Sequence, residues 1–180
     1  MNETTLRVLV TAASKHGATQ EIAEALARDL RSAAGGAVDV ECVPVRWDPS
    51  PDRYDAVALG SAVYAGAWRD EARRWATSHA AELRERPVWL FSSGPIGEPP
   101  FPPDDPHDVA PLMRVIGARA HRTFPGRLDK GLLTVPERAM VTAMRAPLGD
   151  FRDWAAVQEW AAEIAGSLTV PTSSGVRGRG

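Results

Sequence analysis

Ser14, Lys15, His16, Gly17, Ala18 and Thr19 bring two hydroxyls, two basic side chains and a glycine into six consecutive positions. Such a set can hold a phosphate. Ser14 and Thr19 can donate hydroxyl hydrogens, Lys15 and His16 can add positive charge, and Gly17 lets the backbone come close. Leu6 to Thr11 before the run reads as an apolar strand, while Ile22, Ala23, Leu26, Ala27 and Leu30 after it recur at helical spacing. A helix beginning there would aim its unpaired first-turn amides, and the positive end of its dipole, back into the run. The plain alternative is a capped helix start with no ligand.

The spacing lacks both Gly-x-x-x-x-Gly-Lys-Ser/Thr and Gly-x-Gly-x-x-Gly, which leaves a mononucleotide as the better guess than a dinucleotide. The elements that must position it alternate along the chain. Gly35-Gly36 ends the first helix, and Val38 to Val43 alternates apolar with acidic, as a strand with one wet side does. Ala56 to Leu59 and Val88 to Phe91 are unbroken apolar runs that suit interior strands. Between them, 69–84 reads as one helix. A helix after Asp108 follows, then a more polar strand ending at Phe124, and a last helix from Asp150 to about Leu168 with Trp154, Val157, Trp160, Ala161 and Ile164 as its buried stripe. Polar residues in the second and fifth strands make these the sheet edges. The expected fold is therefore an α/β three-layer sandwich around a five-stranded parallel sheet of order 2-1-3-4-5.

In that order a ligand belongs outside the carboxyl ends of strands one, three and four. Three loops converge there: 12–19, 61–68 and 92–97. Ser61, Tyr64, Ala65 and Gly66 in the second loop, and Ser92, Ser93 and Gly94 in the third, join the first run as candidate cofactor-binding residues. Tyr64 is the candidate for stacking on an aromatic cofactor and Trp68 the weaker one, with loop packing as the alternative for both.

Ser14-x-x-Gly17-x-Thr19 after a first strand resembles the phosphate loop of the flavodoxins, which bind FMN. Gly60 to Gly66 resembles their second flavin loop, and 92–97 the loop that closes over the other side of the ring. Tyr54 to Ser61, His121 to Asp129 and Gly149 to Trp160 resemble the flavodoxin-like branch that includes menaquinone-dependent protoporphyrinogen IX dehydrogenase. The resemblance spans residues 5 to 168. It implies a flavodoxin-like fold, noncovalent FMN, a porphyrinogen or quinone substrate, and a role in heme biosynthesis. A carrier exchanging electrons with a redox protein partner is the rival. Backbone amides near Ser93 and Gly94 would bond the ring edge, and no side chain is singled out as catalytic.

About 25 residues between Phe124 and Asp150 exceed what a short flavodoxin needs. They carry Leu132, Leu133, Val135, Met140, Val141 and Met144 together with Arg127, Lys130, Arg138 and Arg145. A packing helix is the first reading, and contact with substrate or membrane is the alternative.

The bulk composition sets further bounds. With 180 residues, 44% of them hydrophobic, the chain has the material for one domain, 1–169, followed by a flexible tail, 170–180. Its 21 Lys+Arg against 23 Asp+Glu implies no broad attraction to nucleic acid. Cys42 is the sole cysteine, so no intrachain disulfide forms. A cytoplasmic location is expected, without a signal peptide or membrane-spanning segment, and with room for peripheral contact at the inner face of the cell membrane. Asp104, Asp105, His107 and Asp108 invite a metal reading, but the stretch is proline-rich and Asp108 fits a helix cap, so no metal is expected. Asp150 reads as the cap of the last helix, with Asp153 in its first turn. His79 and His121 show no partner in the sequence.

Overall fold

The computed structural model describes residues 5–94, 96–97, 99 and 101–169; the expected tail at 170–180 lies outside them. Along the chain run β1 (Leu6–Ala13), α1 (Ala18–Ala33), β2 (Val38–Cys42), β3 (Ala56–Tyr64), β4 (Ala67–Trp68), α2 (Asp70–Ser78) and α3 (Ala80–Arg84). There follow β5 (Val88–Ser93), α4 (Val109–Ile116), β6 (Ala120–Phe124), β7 (Arg127–Leu128), α5 (Val135–Ala143), β8 (Gly149–Asp150) and α6 (Trp154–Thr169). The main sheet has the order β2-β1-β3-β5-β6, all parallel, so the expected 2-1-3-4-5 winding is the one observed. β4 is a short antiparallel return on the end of β3.

Successive residues of a strand point to opposite faces, and the two cores follow that alternation. Val8, Val10, Ala58, Phe91 and Phe124 pack under α1 and α6, whereas Leu9, Val57, Leu59, Val88 and Leu90 pack under α2, α3 and α4. Val38 and Val40 of β2 face inward while Asp39 and Glu41 face water, as an edge strand with one wet side requires. Burial pushes the Cys42 thiol on β2 up to about 11, so it stays protonated and packs as a small apolar group.

Three of the sequence expectations are altered by the structure. The helix expected over 69–84 breaks at His79, where the hydroxyls of Thr77 and Ser78 bond back to the carbonyls of Arg73 and Arg74 and the His79 ring turns to Asp48, 3.2 Å away. Asp153, not Asp150, caps the last helix, its carboxylate accepting the Ala156 amide at 3.0 Å. Trp154 is not in the buried stripe of that helix. It is 43% exposed and lies beneath the Arg152 guanidinium, 4.6 Å from the ring centroid.

Phe91, Phe124 and Trp160 meet edge to face, with centroids 5.6 to 6.2 Å apart. Gly60 on β3 makes room for this cluster: a Cβ there would stand 2.1 Å from the Phe91 ring. Gly60→Ala should therefore destabilise the protein by about 1–3 kcal/mol in a denaturant titration, because the ring it strikes is held on its other sides. An unchanged midpoint would show that the cluster can give way.

Candidate functional site

The parallel register aligns Ala13 with Ser61, Ser61 with Ser92 and Ser92 with Thr123. All four strands thus deliver their loops at one level of the sheet. A cavity opens there. Ser14, Lys15, His16, Ala18 and Thr19 form one wall, Ala62, Val63 and Tyr64 another, and Ser93, Gly94 and Ile96 a third.

Gly17, at φ 87°, turns the chain into α1, and no side chain caps that helix. Ser14 would be the natural cap, but its hydroxyl accepts the Gly17 amide at 3.1 Å, one position too early. The positive end of α1 is left facing the cavity. Thr19 lies beside it, only 2% exposed. An anion already sits on this loop: the Glu137 carboxylate of α5 accepts from Lys15 Nζ and lies 3.3 Å from His16 Nε2. Its second oxygen accepts the Thr134 amide at 2.7 Å and closes the capping box of α5.

Tyr64 stands at the cavity rim, 40% exposed, with Lys15 Nζ 5.6 Å and the Arg69 guanidinium 5.9 Å from its ring centroid. Burial of the ring pushes its hydroxyl pKa up, so the phenol stays neutral. Ala65 and Gly66 take positive φ to make the β3–β4 turn and line a neighbouring cavity instead. Trp68 is 2% exposed in the opposite core and cannot reach the cavity. Ser61 and Ser92 also face inward. The Ser61 hydroxyl donates to the Ala62 carbonyl and accepts the Arg69 amide. Ser92 accepts the Trp68 indole hydrogen at 2.7 Å and lies 2.7 Å from His121 Nε2.

His121 therefore has partners that its place in the sequence did not reveal. Its Nδ1 is 3.6 Å from Asp105, and burial lowers its pKa, so the neutral ring accepts from Ser92. The order Asp105, His121, Ser92 has the outline of a nucleophilic triad. With Ser92 fully buried behind Trp68, it works as a brace between β4, β5 and β6. Asp105 is further held by the Thr123 hydroxyl. Asp108 does not cap α4: its carboxylate accepts the Trp68 amide at 3.0 Å.

The insertion, for which the sequence put a packing helix first and substrate or membrane contact second, supplies the fourth wall. Gly126, Arg127, Leu128, Asp129, Leu132 and Leu133 of the insertion close the cavity. Gly126 comes so near that a Cβ on it would lie 3.3 Å from Gly94. α5 is not a packing helix, for none of its residues is buried, and Val135 and Met140 are 78% and 57% exposed, with Met144 just past its end 63% exposed. The available signal was Thr134-x-x-Glu137, a capping box whose acid carries a spare oxygen.

An uncapped helix end, two basic side chains and two hydroxyls on one side of apolar walls suit a molecule with an anionic arm and a flat ring. Lys15, above all, with the Thr134 amide next, holds the Glu137 carboxyl down at about 2. A depressed pKa means that the contact is complete above the ordinary value of 4.5 and is lost as the pH falls toward 2. An NMR titration should give Glu137 a midpoint near 2, with the backbone signals of 130–143 moving alongside it. A midpoint near 4.5 would remove the contact.

The family described as the flavodoxin domain matches residues 9–154. No curated protein matches the chain. Among solved structures, a flavodoxin from the domain Archaea has a TM-score of 0.63 at 18% identity, over 92% of this chain and 100% of its own. Flavodoxin 1 from Bacillus cereus has a TM-score of 0.60 at 14% identity, over 89% and 97%. Rubredoxin oxygen:oxidoreductase from Desulfovibrio gigas has a TM-score of 0.56 at 12% identity, over 91% of this chain and 37% of that one. These structures share the fold. FMN is the cofactor of such domains, and the uncapped head of α1, with the hydroxyls of Ser14 and Thr19 beside it, fits its phosphate. With a parallel sheet wound in this order, a phosphate-ready loop at its switch point and a family match over most of its length, the chain belongs to the flavodoxin domain family.

Proposed function

We propose that the chain is an FMN-dependent oxidoreductase of the protoporphyrinogen IX dehydrogenase type, with the porphyrinogen as electron donor and a quinone as acceptor. The observation that carries this reading is the insertion at 125–149. It walls the cofactor cavity with Leu128, Leu132 and Leu133, and it also leaves Val135, Met140, Met144 and Leu148 exposed on its own surface. A protein that only exchanges electrons with another protein has no need of an apolar wall added over its cofactor.

In this reading Ser14, Lys15, His16, Gly17, Ala18 and Thr19 hold the phosphate, Tyr64 lies along the ring, and the backbone at Ser93 and Gly94 meets the ring edge. Bound FMN supplies the acceptor for a hydride; the chain supplies its placement. No helix among the described residues is long and apolar enough to cross a membrane. Lys130, Arg138 and Arg145, interleaved with the exposed apolar residues, suit the anionic inner face of the cell membrane, where a quinone would dissolve.

The purified protein should be yellow, and anaerobic addition of protoporphyrinogen IX should bleach its visible spectrum. A flavin spectrum that does not bleach would overturn the dehydrogenase reading and favour the electron carrier. Thr19→Val should weaken FMN binding by about 1–3 kcal/mol if its hydroxyl donates to the phosphate, as a fluorescence titration would measure. Unchanged affinity would remove Thr19 from the phosphate site.

A further inference from the structure

A second cavity, of about 360 Å³, adjoins the first and shares Val63 and Gly94 with it. Its size falls in the range of small-molecule sites. Phe101, Pro102, Pro106 and Met144 supply its remaining apolar surface, with Phe101 and Met144 both 63% exposed at its mouth. The two come from different parts of the chain: Phe101 from the segment after β5, Met144 from the end of α5. The insertion therefore builds this cavity as well as the cofactor wall.

The polar lining is sparse and of one kind. Thr123 spends its hydroxyl hydrogen on Asp105 at 2.7 Å. Among the described lining residues Asp104 is the one ionisable side chain, and no cationic side chain joins it. A ligand anion here would meet a carboxylate and nothing to offset it, whereas an N–H or O–H donor would find an acceptor. The cavity thus selects against negative charge and for a neutral ring with a hydrogen to give.

We propose that this cavity is the substrate site and that it takes a neutral, apolar ring bearing an N–H or O–H group, whose hydrogen Asp104 accepts. The proposal rests on the FMN oxidoreductase reading, since the shared Val63 and Gly94 set the ring against the cofactor cavity. A reduced ring compound carries such hydrogens and its oxidised partner carries fewer, so Asp104 favours the electron-donating form. The carboxylate arms of a larger substrate must point out of the cavity, past Met144.

Calorimetric titration of the FMN-loaded protein with redox-inert probes tests this. We expect 2-naphthol to bind at least about ten-fold more tightly than 2-methoxynaphthalene, which lacks the donor, and 2-naphthoate to bind more weakly than either. Asp104→Ala should bring 2-naphthol and 2-methoxynaphthalene to near parity while the flavin spectrum stays unchanged. Phe101→Ala and Met144→Ala should weaken both neutral probes alike. Equal binding of all three probes, or a preference for 2-naphthol that survives Asp104→Ala, would overturn the proposal. Failure to take up FMN would instead overturn the cofactor reading, and the same probes on the flavin-free protein would still report on the cavity.

Discussion

Parallel pairing in register is the constraint from which the site follows. Because β1, β3, β5 and β6 run the same way, and Ala13, Ser61, Ser92 and Thr123 fall on one line across them, every turn that leaves this line opens on the same side. Parallel strands need long crossovers, and here those crossovers are the helices that bury both faces of the sheet. A slip of one residue in β3 would exchange the faces of Leu59 and Gly60 and drive a side chain into the Phe91 ring. Core packing and loop position are thus fixed by a single choice of register.

That choice was legible because hydropathy reports it directly. Ala56 to Leu59 and Val88 to Phe91 are apolar without a break only if both faces are covered, and Val38 to Cys42 alternates only if one face is wet. The strand, turn and helix around residues 14–19 were legible for a similar reason: they are contiguous, so local signals suffice. What stayed hidden depends on partners far apart in the chain. Glu137 meets Lys15 across 122 residues, and Ser92 meets His121 across 29. Nothing in the local pattern of either residue announces its partner. Trp154 misled because its spacing is right for the stripe, while an arginine two positions earlier covers it from outside.

Charge ties the insertion to the rest. Glu21, in the first turn of α1, receives Arg127 at 3.3 Å and also Arg152, so the start of the insertion and a residue just past its end are clamped to the same carboxylate. The two guanidinium groups hold the Glu21 pKa below its ordinary value, Arg152 most strongly. Arg152 is shared in turn with Asp150, which explains why that residue is unavailable as a helix cap. A third contact, from Glu137 to Lys15, fastens the middle of the insertion to the loop in front of α1. One helix N-terminus thereby organises both the expected phosphate seat and the element that covers it.

The pairing of β7 with β8 sets Arg127 opposite Asp150 and Leu128 opposite Gly149. The insertion therefore leaves and rejoins the body through the two arms of one hairpin. To the sheet, such a segment is no more demanding than a tight turn, since the ends to be joined are already adjacent and the closure entropy grows only slowly with what lies between. The covering element is thus modular. Its length and contents can change without any strand changing place, so what covers the site is set independently of the frame beneath it.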